Sequence, residues 1–148
     1  MAIEIKKPAL DFETDVAIGI DLPLGSFAGS QFAVNYLTID QAVANAKNLL
    51  LTNHGERPMR PTFGCNLRGV LFDQISDVFT TDIEEVIRNN FATWLPYIEI
   101  SELSVLQSET NPNQVNITLS IYLKGNEFDT RQIDIPISNG EPGVTDIN

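Results

Sequence analysis

A chain of 148 residues, 43% hydrophobic and 20% charged, is long enough for one domain with its own core and has the balance of an ordinary globular protein. Its net charge of −11 repels a phosphate backbone, which argues against nucleic acid as a partner. No apolar run approaches the ~18 residues of a membrane span, so no membrane partner is expected. One Cys and one His give neither an internal disulfide nor a ligand cluster of zinc type, so no metal and no cofactor are expected.

The charge is unevenly placed. Residues 1–40 carry six acids and two bases, residues 41–72 only Glu56 against Lys47, Arg57, Arg60 and Arg68, and residues 73–148 thirteen acids and three bases. The segment nets are −4, +3 and −10, which sum to −11. A basic island therefore sits in an acidic chain. The opening MAIEIKKPALDFETD has no apolar stretch after its lysines, so no cleaved signal peptide is expected. The lone Cys65 suits a reducing compartment.

Residues 1–36 read as an extended N-terminal arm. Val16, Ile18, Ile20 and Leu22 alternate like a strand. Pro23, Gly25 and Gly29 then break regularity and leave Phe27 and Phe32 in polar surroundings, as an edge strand with a surface loop or as a segment that packs on a neighbour. A helix is expected from Thr38, with Thr38 and Gln41 at capping-box spacing and Ile39, Ala42, Val43, Ala46, Leu49 and Leu50 on one stripe. Asn53 and Gly55 end it. Asn66 is expected to cap a short helix burying Leu67, Val70 and Leu71. A second long helix is expected from Thr81, again with capping-box spacing to Glu84, burying Ile83, Val86, Ile87, Phe91, Trp94 and Leu95 and ending at Pro96.

Beyond Pro96 the period changes to 2. Ile98 and Ile100 alternate, then the phase slips to Leu103 and Val105, predicting a bulge near Ser101-Glu102. Asn111-Pro112-Asn113 is a turn signal. Val115 to Leu123 alternate cleanly, Gly125-Asn126 closes a hairpin, and Ile133, Ile135 and Ile137 make a third strand. Pro136 cannot donate to a ladder, so this strand is expected at an edge. The fold class is α+β: two main helices and a short one packed on a three-stranded antiparallel meander. The domain spans 37–138 and is followed by a flexible tail, 139–148.

For catalysis the chain offers little. His54 precedes a helix-ending glycine, and Cys65 between Gly64 and Asn66 reads as packing. Glu56 is the one carboxylate with a distinctive setting, yet adjacent Arg57 favours its charged form, the wrong bias for a general acid. The turn itself reads as structure. Pro58 and Pro61 hold the backbone around Arg60, Phe63 enters the core, and Gly64 permits close approach. Glu56, Pro61, Phe63 and Gly64 are expected to be structural, and Arg57 and Arg60 both structural and available to an acidic or carbonyl-rich partner.

The run from Asn48 to Phe72, NLLLTNHGERPMRPTFGCNLRGVLF, with its Gly55-Glu56-Arg57 and Pro61-Thr62-Phe63-Gly64, resembles the baseplate wedge or sheath-initiator family of contractile phage tails, shared with type VI secretion baseplates. A looser resemblance extends from Gln41 to Ile137. It implies a non-enzymatic virion protein of the tail baseplate, assembled in the host cytoplasm, that joins the wedge to the first sheath ring and templates sheath assembly. Implied partners are the tail-sheath protein, baseplate wedge proteins and, through the arm, tube or hub proteins, in a sixfold ring. Sheath arms would add strands to an edge of the meander, with the edge strand of Ile133, Ile135, Pro136 and Ile137 one candidate and the choice of edge left open. Where the family carries a Glu-Pro-Arg triplet for wedge docking, this chain has Leu95-Pro96-Tyr97, so an apolar and aromatic surface of Trp94, Leu95, Pro96 and Tyr97 is expected instead. Some members are labelled lysozyme-like, which leaves a carboxylate-based peptidoglycan hydrolase as the alternative.

Overall fold

The computed structural model describes residues 8–13, 15–22, 32–67, 79–107, 114–138, 141–142 and 145–146. A 3-10 turn at Ala9–Phe12 leads to a small ribbon, β1 (Gly19–Ile20) against β2 (Val34–Asn35), and then to helix α1 (Thr38–Leu51). Helix α2 (Phe79–Trp94) is followed by β3 (Ile98–Gln107), β4 (Gln114–Leu123) and β5 (Asn126–Ser138). Two short strands, β6 (Glu141–Pro142) and β7 (Thr145–Asp146), complete the order.

The fold is the expected α+β. The three long strands pair antiparallel in sequence order, and both helices cover one face, α2 over β3 and α1 over β4 and β5. Period-2 alternation makes that face. Val115, Ile117, Leu119, Ile121 and Leu123 of β4 are all buried, with Ile133, Ile135 and Ile137 beside them. They meet Ile39, Ala42, Ala46, Leu49 and Leu50 of α1, and Ile83, Ile87 and Phe91 of α2, in one core. Each such Ile or Leu contributes about 1.5–3 kcal/mol by leaving water. The predicted bulge is present. Ile100 faces Ile121 but Glu102 faces Ser120, leaving Ser101 unpaired, its hydroxyl donating to the Ser120 carbonyl at 3.1 Å.

Four expectations need correction. Thr38 is the first residue of α1, and its cap comes from far upstream. The Thr38 amide and hydroxyl both donate to Asp11 Oδ1, at 2.7 and 2.6 Å, placing a carboxylate at the positive helix end. Gln41 is engaged elsewhere, accepting from Asn35 and donating to Asn45. Helix α2 begins two residues before Thr81, at Phe79.

Third, the hairpin turns on Lys124-Gly125, with Gly125 at φ 88° and Asn126 already in β5. Fourth, β5 is not a bare edge. Its outer side pairs with the tail at Ile137↔Pro142 and Ser138↔Glu141, and again at Ile133↔Asp146 and Asp134↔Thr145. The bridges lie on either side of Pro136, which has no amide hydrogen to offer a neighbour. The edge without a further strand among the described residues is that of β3.

The expected short helix beyond Leu67, with Val70 and Leu71, lies outside the described residues, as do Phe27 and the Asn111-Pro112-Asn113 turn. Of the arm, Phe12, Val16, Ile20, Phe32, Val34 and Tyr36 are exposed. The ribbon touches α1 closely: a Cβ added at Gly19 would meet Gln41 Oε1. Lys47 is 2% exposed, and its Nζ donates to the Leu22 carbonyl at 2.9 Å. That bond keeps the ammonium solvated by protein, as a buried charge requires.

Candidate interaction surface

The turn after α1 is built by its prolines and glycines. Pro58 occupies the second position of the turn Arg57–Arg60, closed by the Arg60 amide on the Arg57 carbonyl at 3.0 Å. Pro61 does the same in the turn Arg60–Phe63, closed at 3.1 Å. A fixed φ near −65° suits that position, so the sequence Arg-Pro-Met-Arg-Pro selects two consecutive turns. Across them the Gly55 amide donates to the Pro61 carbonyl at 2.8 Å, with Gly55 at φ 87°.

Glu56 serves the turn as well. Its Oε2 and Oε1 accept from the Asn53 amide and Asn53 Nδ2, both at 2.9 Å. His54 Nε2 donates to the Gly64 carbonyl at 2.9 Å, which fixes its tautomer and gives it a structural task. Gly64 stands at φ 114°, and a Cβ there would lie 2.2 Å from the Thr52 carbonyl oxygen. Only glycine fits. Burial pushes the Cys65 thiol up to about 12, so at neutral pH it carries almost no thiolate and packs as a small hydrophobe.

The arginines lie on aromatic faces. The Arg57 guanidinium sits 4.3 Å from the Phe63 ring centroid, Phe63 meets Trp94 edge-to-face at 5.3 Å, and the Arg60 guanidinium stands 5.8 Å from the Trp94 ring. Phe63 and Trp94 are half-buried against the core. The four side chains thus form a ladder joining the turn to the end of α2, with each cation–π contact worth about 0.5–1 kcal/mol at an exposed site.

The Trp94–Tyr97 segment divides. Leu95, expected to face a partner, is 7% exposed and belongs to the core. Pro96 repeats the pattern of Pro58 and Pro61: the Ile98 amide donates to the Leu95 carbonyl at 3.0 Å around it. Tyr97 is 39% exposed, and its hydroxyl accepts from Asn45 Nδ2 of α1 at 2.8 Å. Trp94, Pro96 and Tyr97 remain accessible; Leu95 does not.

Between α2 and β3 lies a groove of 330 Å³ whose lining includes Phe91, Pro96, Ile98 and Ile100 with Arg88, Glu99 and Lys124. Among the described residues Glu99 is its one carboxylate, and it accepts from the Tyr122 hydroxyl at 2.6 Å; that bond raises the Tyr122 pKa. Glycoside hydrolysis needs two carboxyl groups about 5–9.5 Å apart across the substrate, and this groove supplies one. Among the described residues no three His, Cys, Asp or Glu side chains gather as a metal site, and no helix is long and apolar enough to cross a membrane.

Sequence reasoning found the turn but missed the ladder's second ring and the Asp11 cap. Trp94 is a long way along the chain from Arg60, and nothing local to either residue signals the pairing.

A profile of the family described as "Baseplate wedge protein gp25" matches residues 39–127, more than half of the chain. Two solved structures share the fold. One is a protein of Geobacter sulfurreducens provisionally described as a tail lysozyme, at 22% identity and TM-score 0.58, covering 77% of this chain and 96% of that one. The other is a chain of the anti-feeding prophage baseplate, at 17% identity and TM-score 0.62, covering 74% of this chain and 86% of that one. At such identities the likeness speaks for the fold alone. No curated protein sequence matches.

Proposed function

The chain belongs to the baseplate wedge protein gp25 family, and on that premise we propose that it is a non-enzymatic baseplate protein of a contractile tail that joins the wedge to the first sheath ring and templates sheath assembly by accepting a strand at its sheet edge. One observation carries this reading. The sheet ends in a ten-residue strand, β3, that among the described residues pairs on one side only. Its outward backbone donors and acceptors supply affinity without demanding a particular side-chain sequence, and the alternating side chains set register. The receiving edge is then β3 rather than the Ile133–Ile137 edge, which the tail partly occupies.

The other contacts of the reading follow the same logic of many weak interfaces. The exposed apolar residues of the arm, Phe12, Val16, Ile20 and Phe32, suit packing on a neighbouring tube or hub subunit. Trp94, Pro96 and Tyr97 suit the wedge. Repeated in a sixfold ring, such contacts gain strength from effective concentration rather than from any single strong bond.

Amide hydrogen exchange on the isolated chain, with and without the sheath protein of the same particle, tests the central step. Slowed exchange along residues 98–107 is expected. No slowing there, or slowing confined to β5, would refute strand addition at β3. The hydrolase reading lacks an observation in its favour: among the described residues the groove beside β3 offers a single, hydrogen-bonded carboxylate.

A further inference from the structure

The most exposed large apolar side chain among the described residues is Met59, at 94%. It stands at the tip of the double turn, between Arg57 and Arg60. We propose that this tip is a docking head for an acidic surface of another baseplate protein, in which Met59 enters an apolar notch while the two guanidiniums engage carboxylates around it. The proposal rests on the reading of the chain as a baseplate component and names the chemistry of one of its partners.

Three observations converge. First, the tip is held ready: the turn closures at Arg60 and Phe63 and the Gly55–Pro61 bond fix its backbone before any partner arrives. Little ordering entropy is then left to lose on binding. Second, both guanidiniums are exposed and stand over the Phe63 and Trp94 rings. No carboxylate among the described residues lies within ion-pair distance of either. Among the described residues their N–H edges, the donors that grip carboxylates in a fork, remain open.

Third, the charge is local. The turn itself, residues 55–64, holds Arg57 and Arg60 against Glu56, net +1 in a chain of −11, and Lys47 of the same basic stretch is buried. An acidic partner meets attraction here and repulsion over most of the remaining surface, which fixes orientation. Methionine adds an unbranched, polarizable side chain that fits an irregular apolar pocket. A polynucleotide would satisfy the guanidiniums but offers Met59 little, and it is repelled by the rest of the chain.

Methionine oxidation reads the site without knowing the partner. The chain has two methionines, and mass spectrometry distinguishes Met59 from Met1. In dilute peroxide Met59 should oxidise readily in the isolated full-length chain and about tenfold or more slower in intact particles, because exposure governs its sulfoxide formation. Met59→Asp, at a site with no packing to lose, should fold with unchanged Tm and fail to enter particles, and Met59→Leu should enter normally.

Oxidation of Met59 at the same rate in particles that contain the chain would overturn the docking head and leave the baseplate reading standing. Absence of the wild-type chain from particles would instead overturn the baseplate reading. Protection that appears on concentrating the chain alone, or that nuclease removes, would assign the tip to a second copy or to a polynucleotide and refute the proposal.

Discussion

β3 and β5 are the outer long strands of one meander, yet their edges are finished in opposite ways. β5 is occupied: the chain's own tail pairs with it on both sides of Pro136. β3 has no such cover among the described residues. It carries instead the Ser101 bulge, with Glu99 and Glu102 exposed on its length. Bulges and charges are the devices by which natural sheets discourage accidental pairing at an edge that must stay open. One edge is filled and the other is guarded, the finish that the proposed strand addition at β3 calls for.

The broadest way to break the contrast is to destroy the shared support. Leu119→Ala, at a fully buried site in the central strand, should cost about 2–5 kcal/mol. Denaturant unfolding should show it, with the amides of both edges losing protection together. Truncation after Ser138 acts on one edge. It removes β6 and β7, and should cost about 1 kcal/mol, the scale of a few net backbone hydrogen bonds. Exchange should quicken at one amide of the Ile133-Asp134 pair and one of the Ile137-Ser138 pair, those that face the tail, and stay unchanged along β3. Equal quickening of β3 would mean that the edges are not independent.

Deletion of Ser101 sharpens the comparison from the other side. Ile100 already faces Ile121 and Glu102 already faces Ser120, so removing the residue between them restores regular pairing without moving a side chain to the wrong face. Stability should change by less than about 1 kcal/mol, and the straighter edge should raise self-association in sedimentation.

The smallest effect concerns the tie between α1 and the start of β5, where Arg131 stands 3.6 Å from Asp40. Desolvation raises the Asp40 pKa, against the pull of Arg131. The folded chain therefore holds that proton more tightly than the unfolded one. Its contribution is present below the ordinary value of 3.8 and is lost as pH rises through the folded value. Asp40→Asn should flatten the stability profile in the acid range just above pH 3.8. An unchanged profile would assign the slope to other carboxylates.

What the sequence disclosed depended on whether a residue's fate was decided nearby. The core faces of α1 and β4 are periodic, and the bulge is visible as a slip from Ile98-Ile100 to Leu103-Val105. Distant partners left no such trace. Asp11 caps a helix that Thr38 was expected to cap for itself, because a carboxylate reaching the first amides outcompetes a local box. Lys47 sits on an apolar stripe because the Leu22 carbonyl receives it. The tail reads as polar linker by composition, yet backbone groups pair regardless of side chains. At the interaction surface, the resemblance located Arg57 and Arg60, but geometry alone shows that they lie on Phe63 and Trp94, and that Leu95 is withdrawn into the core.

The Cys65 amide donates to the Leu49 carbonyl at 3.1 Å, so the segment between them leaves the domain and returns at a single neck. Its frame is set by glycines, prolines, main-chain bonds and the side chains of Glu56 and His54, while Met59 stands clear of it. Such a loop behaves as an exchangeable cassette. Met59 at its tip can diverge to follow a changing partner while the core beneath keeps its packing, so recognition at that position can drift without touching foldability.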